Sequence, residues 1–183
     1  MIGGFRAAMR VIGGEFRSRR LQSIPGTDVR PTSDKMRETL FNILSPVIEG
    51  VVFVDAYAGT GAVGIEALSR GARHAVFIEK NREAANLIKS NLAALKIEAR
   101  ARVIPGSAAL YLGKIEADIV FIDPPYPNER EYQASLEALE AKPPGQVIVQ
   151  HSVRFALADE QGPFRRTRMV KQGENALSFF HLL

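Results

Sequence analysis

From residue 51 onward, short runs of β-branched and aromatic residues alternate with amphipathic stretches, and this alternation constrains the fold more than any other feature. Val51 to Ala56, Ala75 to Glu79, Ala101 to Ile104, Ile119 to Asp123 and Val147 to Gln150 have the continuous apolar character of strands buried on both faces. Gly64 to Arg70 and Arg82 to Lys96 carry apolar residues three and four apart (Ala85, Ile88, Leu92, Leu95), and Pro127 to Ala141 holds a third helix centred on Leu136 and Leu139. Repeated strand, helix, strand predicts an α/β fold with a mostly parallel, doubly wound sheet. Arg165 to Lys171 and Ala176 to Leu182, joined at Gln172-Gly173-Glu174-Asn175, read as an antiparallel C-terminal hairpin. Ahead of the alternation, Met9 to Leu21 reads as a small β-hairpin bent at Gly13-Gly14. A helix follows from Asp34 to Leu44, capped by Ser33 and stopped by Pro46, with Met36, Leu40, Phe41 and Leu44 as its core stripe and Arg37 facing elsewhere.

Length and composition narrow the function. A chain of 183 residues, 46% of them hydrophobic, suits one globular domain. It has no apolar run of roughly eighteen residues and no leader pattern, which predicts a soluble, cytoplasmic protein without membrane contact. With no Cys, disulfides, thiolate zinc and thiol catalysis are excluded, and the scattered His74, His151 and His181 predict no metal site. The charge is uneven: residues 1–40 hold eight Lys and Arg against four acids, whereas the remainder balances at sixteen each. A neutral body with a basic front suggests a ligand-binding core at 47–183 and, at 1–46, a hairpin-and-helix extension for a polyanion.

Two motifs carry the chemistry. Asp55 to Gly64 (DAYAGTGAVG) follows the first strand and opens a helix, so Gly59, Gly61 and Gly64 permit a tight turn and close approach of a ligand. Glu79, at the tip of the second strand, stands where a ribose-binding acid belongs. The loop alone leaves NAD and S-adenosylmethionine open. Asp55 leans toward the second, because a carboxylate there repels a pyrophosphate and suits a methionine ammonium. Asp123-Pro124-Pro125-Tyr126 follows the fourth strand at the carboxyl edge of the sheet. Its prolines remove two amide donors, leaving carbonyl acceptors beside a carboxylate, which fits an NH₂ group, and Tyr126 offers a stacking face for a base.

With these motifs in view, the chain resembles the bacterial small-subunit rRNA guanine-N2-methyltransferases, single-domain enzymes with a Rossmann-like class I methyltransferase fold that modify guanine 966 of 16S rRNA. The resemblance spans Met9 to Leu183 and rests on RVIGG at 10–14, RPTSD at 30–34, RETLFNIL at 37–44, the loop at 55–71, FIEKN at 77–81 and DPPY at 123–126. It implies S-adenosylmethionine as cofactor, with Asp55, Gly59 and Gly61 at its methionine end, Glu79 at its ribose hydroxyls, Ser107 or a backbone group by its adenine amine, and Ala56, Tyr57, Thr60, Lys80 and Ala108 as further cofactor-binding residues. Ser107 is a departure, since the family often has an acid there. Asp123, Pro124, Pro125 and Tyr126 would receive the target amine. Arg10, Arg17, Arg19, Arg20, Arg30, Thr32 and Arg37 would contact 16S rRNA, free or within the small ribosomal subunit.

The same Asp-Pro-Pro-Tyr turn would serve an N6-adenine methyltransferase of DNA or RNA. Chemistry tilts toward guanine, whose N1–H and N2–H lie side by side for an acceptor-only carboxylate, whereas adenine has an acceptor at N1. A protein glutamine methyltransferase usually carries Asn at position 123, an NAD-dependent oxidoreductase has only the glycine fingerprint in its favour, and a non-catalytic assembly factor would need no intact amine site.

Overall fold

The computed structural model describes residues 9–23, 32–125 and 128–183. Helices α1 (Asp34–Leu44), α2 (Ala62–Ser69), α3 (Arg82–Leu95), α4 (Ala108–Tyr111) and α5 (Glu129–Leu139) surround a single sheet. Its strands are β1 (Val52–Asp55), β2 (His74–Glu79), β3 (Ala101–Pro105), β4 (Ile119–Ile122), β5 (Gln146–Ser152), β6 (Glu160–Gln161), β7 (Phe164–Gln172) and β8 (Asn175–Leu182). The order is β3-β2-β1-β4-β5-β8-β7-β6, with β1 to β5 parallel and β8, β7 and β6 antiparallel to their neighbours. The predicted doubly wound sheet and C-terminal hairpin are both present.

Burial explains the strand composition. In β4 every residue is buried, and alternate residues enter opposite cores: Val120 and Ile122 meet α5 through Leu136 and Leu139, while Ile119 and Phe121 meet α1 through Leu40, Phe41 and Leu44. Ile88 and Leu92 of α3 cover Ala75 and Phe77 of β2 on that second face. The chain reverses its direction of winding between β1 and β4, the crevice where sheets of this kind bind ligands.

Helix α1 has the expected bounds, and Ser33 Oγ accepts from the Met36 amide at 3.1 Å. Arg37 lies off the core stripe but is 1% exposed, so its expected role as an RNA contact is not matched by an accessible side chain. The N-terminal hairpin is also looser than expected. Its arms share an isolated bridge, Arg10 to Arg20, and backbone bonds from Val11 to Arg19, Ser18 to Val11 and Leu21 to Met9, and the bend occupies residues 13–18, with positive φ at Gly14 and Ser18, instead of closing at Gly13-Gly14. Docking onto α2 adds to these bonds, through Glu66 and Ser69. Helix α4, of four residues, and strand β6, of two, are too short to leave a periodic signal. β6 covers only the start of β7, whose remaining length carries Arg168 and Lys171, both exposed. Among the described residues no helix is long and apolar enough to cross a membrane.

Candidate active site

The tips of β1, β2 and β4 bring three acids to one edge. Phe53 and Asp55 alternate onto the α1 and α2 face of the sheet, Phe77 and Glu79 do the same on β2, and Asp123 follows Phe121 by two residues. Asp55 is buried and its Oδ2 accepts from the Gly64 amide at 3.0 Å, in the first turn of α2. Loss of water pushes its pKa up to about 7, opposed by the Gly64 bond and reinforced by the nearby charges of Asp123 and Glu79. Desolvation likewise raises Asp123 to about 7, and the Thr32 hydroxyl, which donates to Asp123 Oδ2 at 3.3 Å, opposes the rise. Among the described residues no cation offsets the burial of these two carboxyls, an environment that favours a cationic ligand end.

The glycine loop is held in place from the Glu79 side. Glu79 Oε2 accepts from the Gly59 amide at 2.8 Å and Oε1 from the Asn81 amide at 2.7 Å, so the carboxylate is fixed while each oxygen keeps a second lone pair. Gly61 caps α2 at φ 81°, a left-handed conformation that favours glycine. A Cβ on Gly64 would stand 2.3 Å from Phe77 Cε1, so the third glycine of the motif lets α2 lie close against β2. Gly106, after β3, donates to the Glu79 carbonyl at 3.0 Å and brings Ser107 beside the Glu79 tip, at the start of α4 with Ala108 buried behind it.

Other expected cofactor residues are turned elsewhere. Tyr57 directs its hydroxyl to α5, where it bonds Ser135 Oγ at 2.7 Å and Glu131 Oε2 at 2.7 Å, and burial raises its pKa. Lys80 is exposed and pairs with Glu131 at 3.8 Å. Thr60 donates its hydroxyl to Met9 Sδ at 3.3 Å, and the Ala56 amide is taken by the Phe121 carbonyl at 3.0 Å. The polar groups of Tyr57, Thr60 and Lys80 and the Ala56 amide are thus engaged within the protein. Pro124 is buried and Pro125 exposed. Tyr126 and Arg30 lie outside the described residues.

The basic front is partly exposed and partly structural. Arg17, Arg19 and Arg20 are exposed on the hairpin, and Arg10, also exposed, lies 3.7 Å from Asp34. Arg37 instead donates to the Arg10 carbonyl at 3.0 Å and to Asp34 Oδ1 at 2.7 Å, so it braces the extension from within and offers no surface to a phosphate. Sequence reasoning missed its counterpart, Glu66, which is 0% exposed on α2. Glu66 accepts from the Ile12 and Gly13 amides, both at 2.8 Å, and from Arg70 Nε at 2.8 Å, with Arg37 Nη1 at 4.0 Å. Ser69 adds a second clasp, accepting from the Phe16 amide and donating to the Gly13 carbonyl. The signal in the sequence was a lone acid in a helix, AVGIEALS, that is otherwise without charge.

The profile of the family described as "Conserved hypothetical protein 95" matches residues 9–181. The chain belongs to that family. The chain is also similar to individual known proteins. YlbH of Bacillus subtilis is 33% identical over 181 residues, 94% of this chain and 98% of its own. Ribosomal RNA small subunit methyltransferase D of Escherichia coli is 44% identical over 120 residues, 64% of this chain and 60% of that protein. The solved structure of yhhF from Escherichia coli superposes with a TM-score of 0.85 at 34% identity, covering 96% of this chain and 98% of that one. Among the described residues no group of His, Asp and Glu is placed to hold a metal.

Proposed function

We propose that this protein is an S-adenosylmethionine-dependent methyltransferase that modifies the exocyclic N2 amine of a guanine in small-subunit ribosomal RNA. The observation that carries the reading is the pairing of two desolvated carboxyls, Asp55 and Asp123, at the tips of adjacent parallel strands where the sheet reverses its winding. The rRNA substrate agrees with the name of the Escherichia coli relative. A dinucleotide pyrophosphate would meet the buried Asp55 unfavourably, which argues against an NAD-dependent oxidoreductase.

The donor set fits the cofactor. Asp55 would hold its ammonium group, Glu79 its ribose hydroxyls, and Ser107 and Ala108 would lie by its adenine. When bound, S-adenosylmethionine supplies an electrophilic methyl group on a sulfonium. Thr32 occupies Oδ2 of Asp123, leaving Oδ1 to accept a hydrogen bond from the N2 amine. Pro124 and Pro125 have no amide hydrogens to compete, and the stiff turn keeps the nitrogen lone pair aimed away from the carboxylate. A carboxyl that titrates near 7 is also matched to taking the proton that the amine must release. Tyr126 would stack on the base. Residues 1–46 serve as the RNA-binding extension through Arg10, Arg17, Arg19, Arg20 and Arg30, in the cytoplasm, on 16S rRNA free or in a small subunit.

Single-turnover methylation by Asp123→Asn tests the mechanism. Replacing an acceptor oxygen by a donor should lower the rate by about 2.7–4 kcal/mol in barrier, on the order of a hundredfold or more, while cofactor affinity is kept. Asp123→Ala should be worse, and near wild-type turnover by Asp123→Asn would remove Asp123 from the reaction.

A further inference from the structure

Gln150 has a position that none of the roles above uses. The parallel pairing of β4 and β5 runs through Phe121 with Ile148 and Ile122 with Val149, so the next step places Gln150 beside Asp123. Side chains alternate along both strands, and Gln150 therefore shares the face of Phe121, Ile148 and its antiparallel partner Leu177, the same face on which Asp123 projects. Neighbouring strands lie about 4.8 Å apart, close enough for two side chains to address one base edge. Gln150 is 8% exposed, and its Oε1 is buried with no hydrogen-bond partner. A buried amide oxygen without a donor is an unfavourable arrangement that folding alone does not reward. A ligand N–H removes the penalty.

Given the reading of the site as a guanine-N2 methyltransferase, we infer that Gln150 reads the rest of the guanine edge: its Oε1 accepts from N1–H and its Nε2 donates to O6 while Asp123 takes the N2 amine. Asp123 and Gln150 stand on neighbouring chains of the sheet, as N2–H and N1–H stand side by side on the guanine edge. A base with an acceptor at N1 and no O6 leaves Oε1 unsatisfied or forces the amide to turn and lose one bond.

The test uses a small-subunit rRNA transcript carrying either guanine or 2-aminopurine at the methylated position. 2-Aminopurine keeps the N2 amine and lacks both N1–H and O6. The wild-type protein should prefer guanine by about tenfold or more in kcat/KM, as the loss of a net hydrogen bond implies. Gln150→Met should bring the guanine preference down towards one, leave cofactor affinity unchanged, and leave the melting temperature equal or higher, because an orphaned acceptor is gone. Gln150→Leu repeats the measurement with a different apolar shape. A guanine preference that persists in these folded variants overturns the assignment. Wild-type protein that methylates neither RNA overturns the underlying reading, and the assignment with it.

Discussion

Thr32 Oγ1 donates to Asp123 Oδ2 at 3.3 Å, a bond between residues 91 positions apart that joins the basic extension to the acceptor carboxylate. The bond favours the ionised carboxylate and opposes the rise in pKa that burial causes. Thr32→Val keeps the shape and removes the donor, so the midpoint of the pH–rate profile should move to higher pH, with little change in the plateau rate at alkaline pH. Single-turnover rates measured from about pH 5.5 to 9 check this, and a profile that stays in place would show that the bond does not tune Asp123.

Asp55 predicts a pH dependence of stability. Its pKa is raised from 3.8 to about 7, so its contribution to folding is fully present below about pH 4 and is lost as pH rises through 7. The melting temperature of the ligand-free protein should therefore fall between about pH 4 and 7, and Asp55→Asn should reduce that fall to the share that Asp123 contributes. S-Adenosylmethionine, which brings an ammonium to the carboxylate, should stabilise the wild-type protein more at about pH 8 than at about pH 5 and should lose most of its effect on Asp55→Asn. Thermal melts with and without cofactor decide it.

Glu79 holds the Gly59 and Asn81 amides as well as facing the proposed ribose position. Glu79→Ala should consequently weaken cofactor binding and cost about 1–3 kcal/mol in stability. Glu79→Gln, which retains one acceptor, should keep more of the stability than of the affinity. Calorimetry paired with urea unfolding separates the two quantities, and unchanged affinity in either folded variant would exclude a ribose contact.

Removing the Glu66 carboxylate strands two backbone amides, takes the partner of Arg70, and leaves the buried Arg37 with Asp34 as its remaining acid. Glu66→Ala should destabilise the protein by about 3–5 kcal/mol. Protease cleavage within residues 9–23 should accelerate before the core is attacked. Equal protection of this segment in mutant and wild type would mean that Ser69 suffices as a clasp.

Neutralising Arg17, Arg19 and Arg20 together should weaken RNA binding and reduce the slope of log affinity against log salt by about 0.9 for every phosphate that the hairpin ceases to neutralise. Cofactor affinity should remain. An unaltered salt slope would move the RNA surface away from the hairpin.

The parallel sheet was legible because its strands are buried on both faces and their apolar runs are interrupted by helices with clear stripes. Ser33 and the span of α1 were readable for a similarly local reason, since cap and stripe lie within one turn of each other. Asp55, Glu79 and Asp123 were legible as strand tips. The relationships between distant residues were not. Arg37 resembles any basic residue of a solvated helix face until Glu66 and Asp34 are folded against it, and the Ile12 and Gly13 amides that Glu66 receives are more than fifty positions away. Gln150 reads as one polar residue at a strand end, and only the pairing of β5 with β4 reveals its neighbour.

Among the described residues no strand pairs with β7 beyond the two positions that β6 covers, which leaves the rest of its outer side as a sheet margin, the kind of surface on which a second chain can add a strand. Arg168 and Lys171 stud that margin with like charge, so two copies approaching edge to edge repel each other before their backbones can pair. A positively charged margin thus acts as a guard against self-templated growth of the sheet, one that weakens as salt rises.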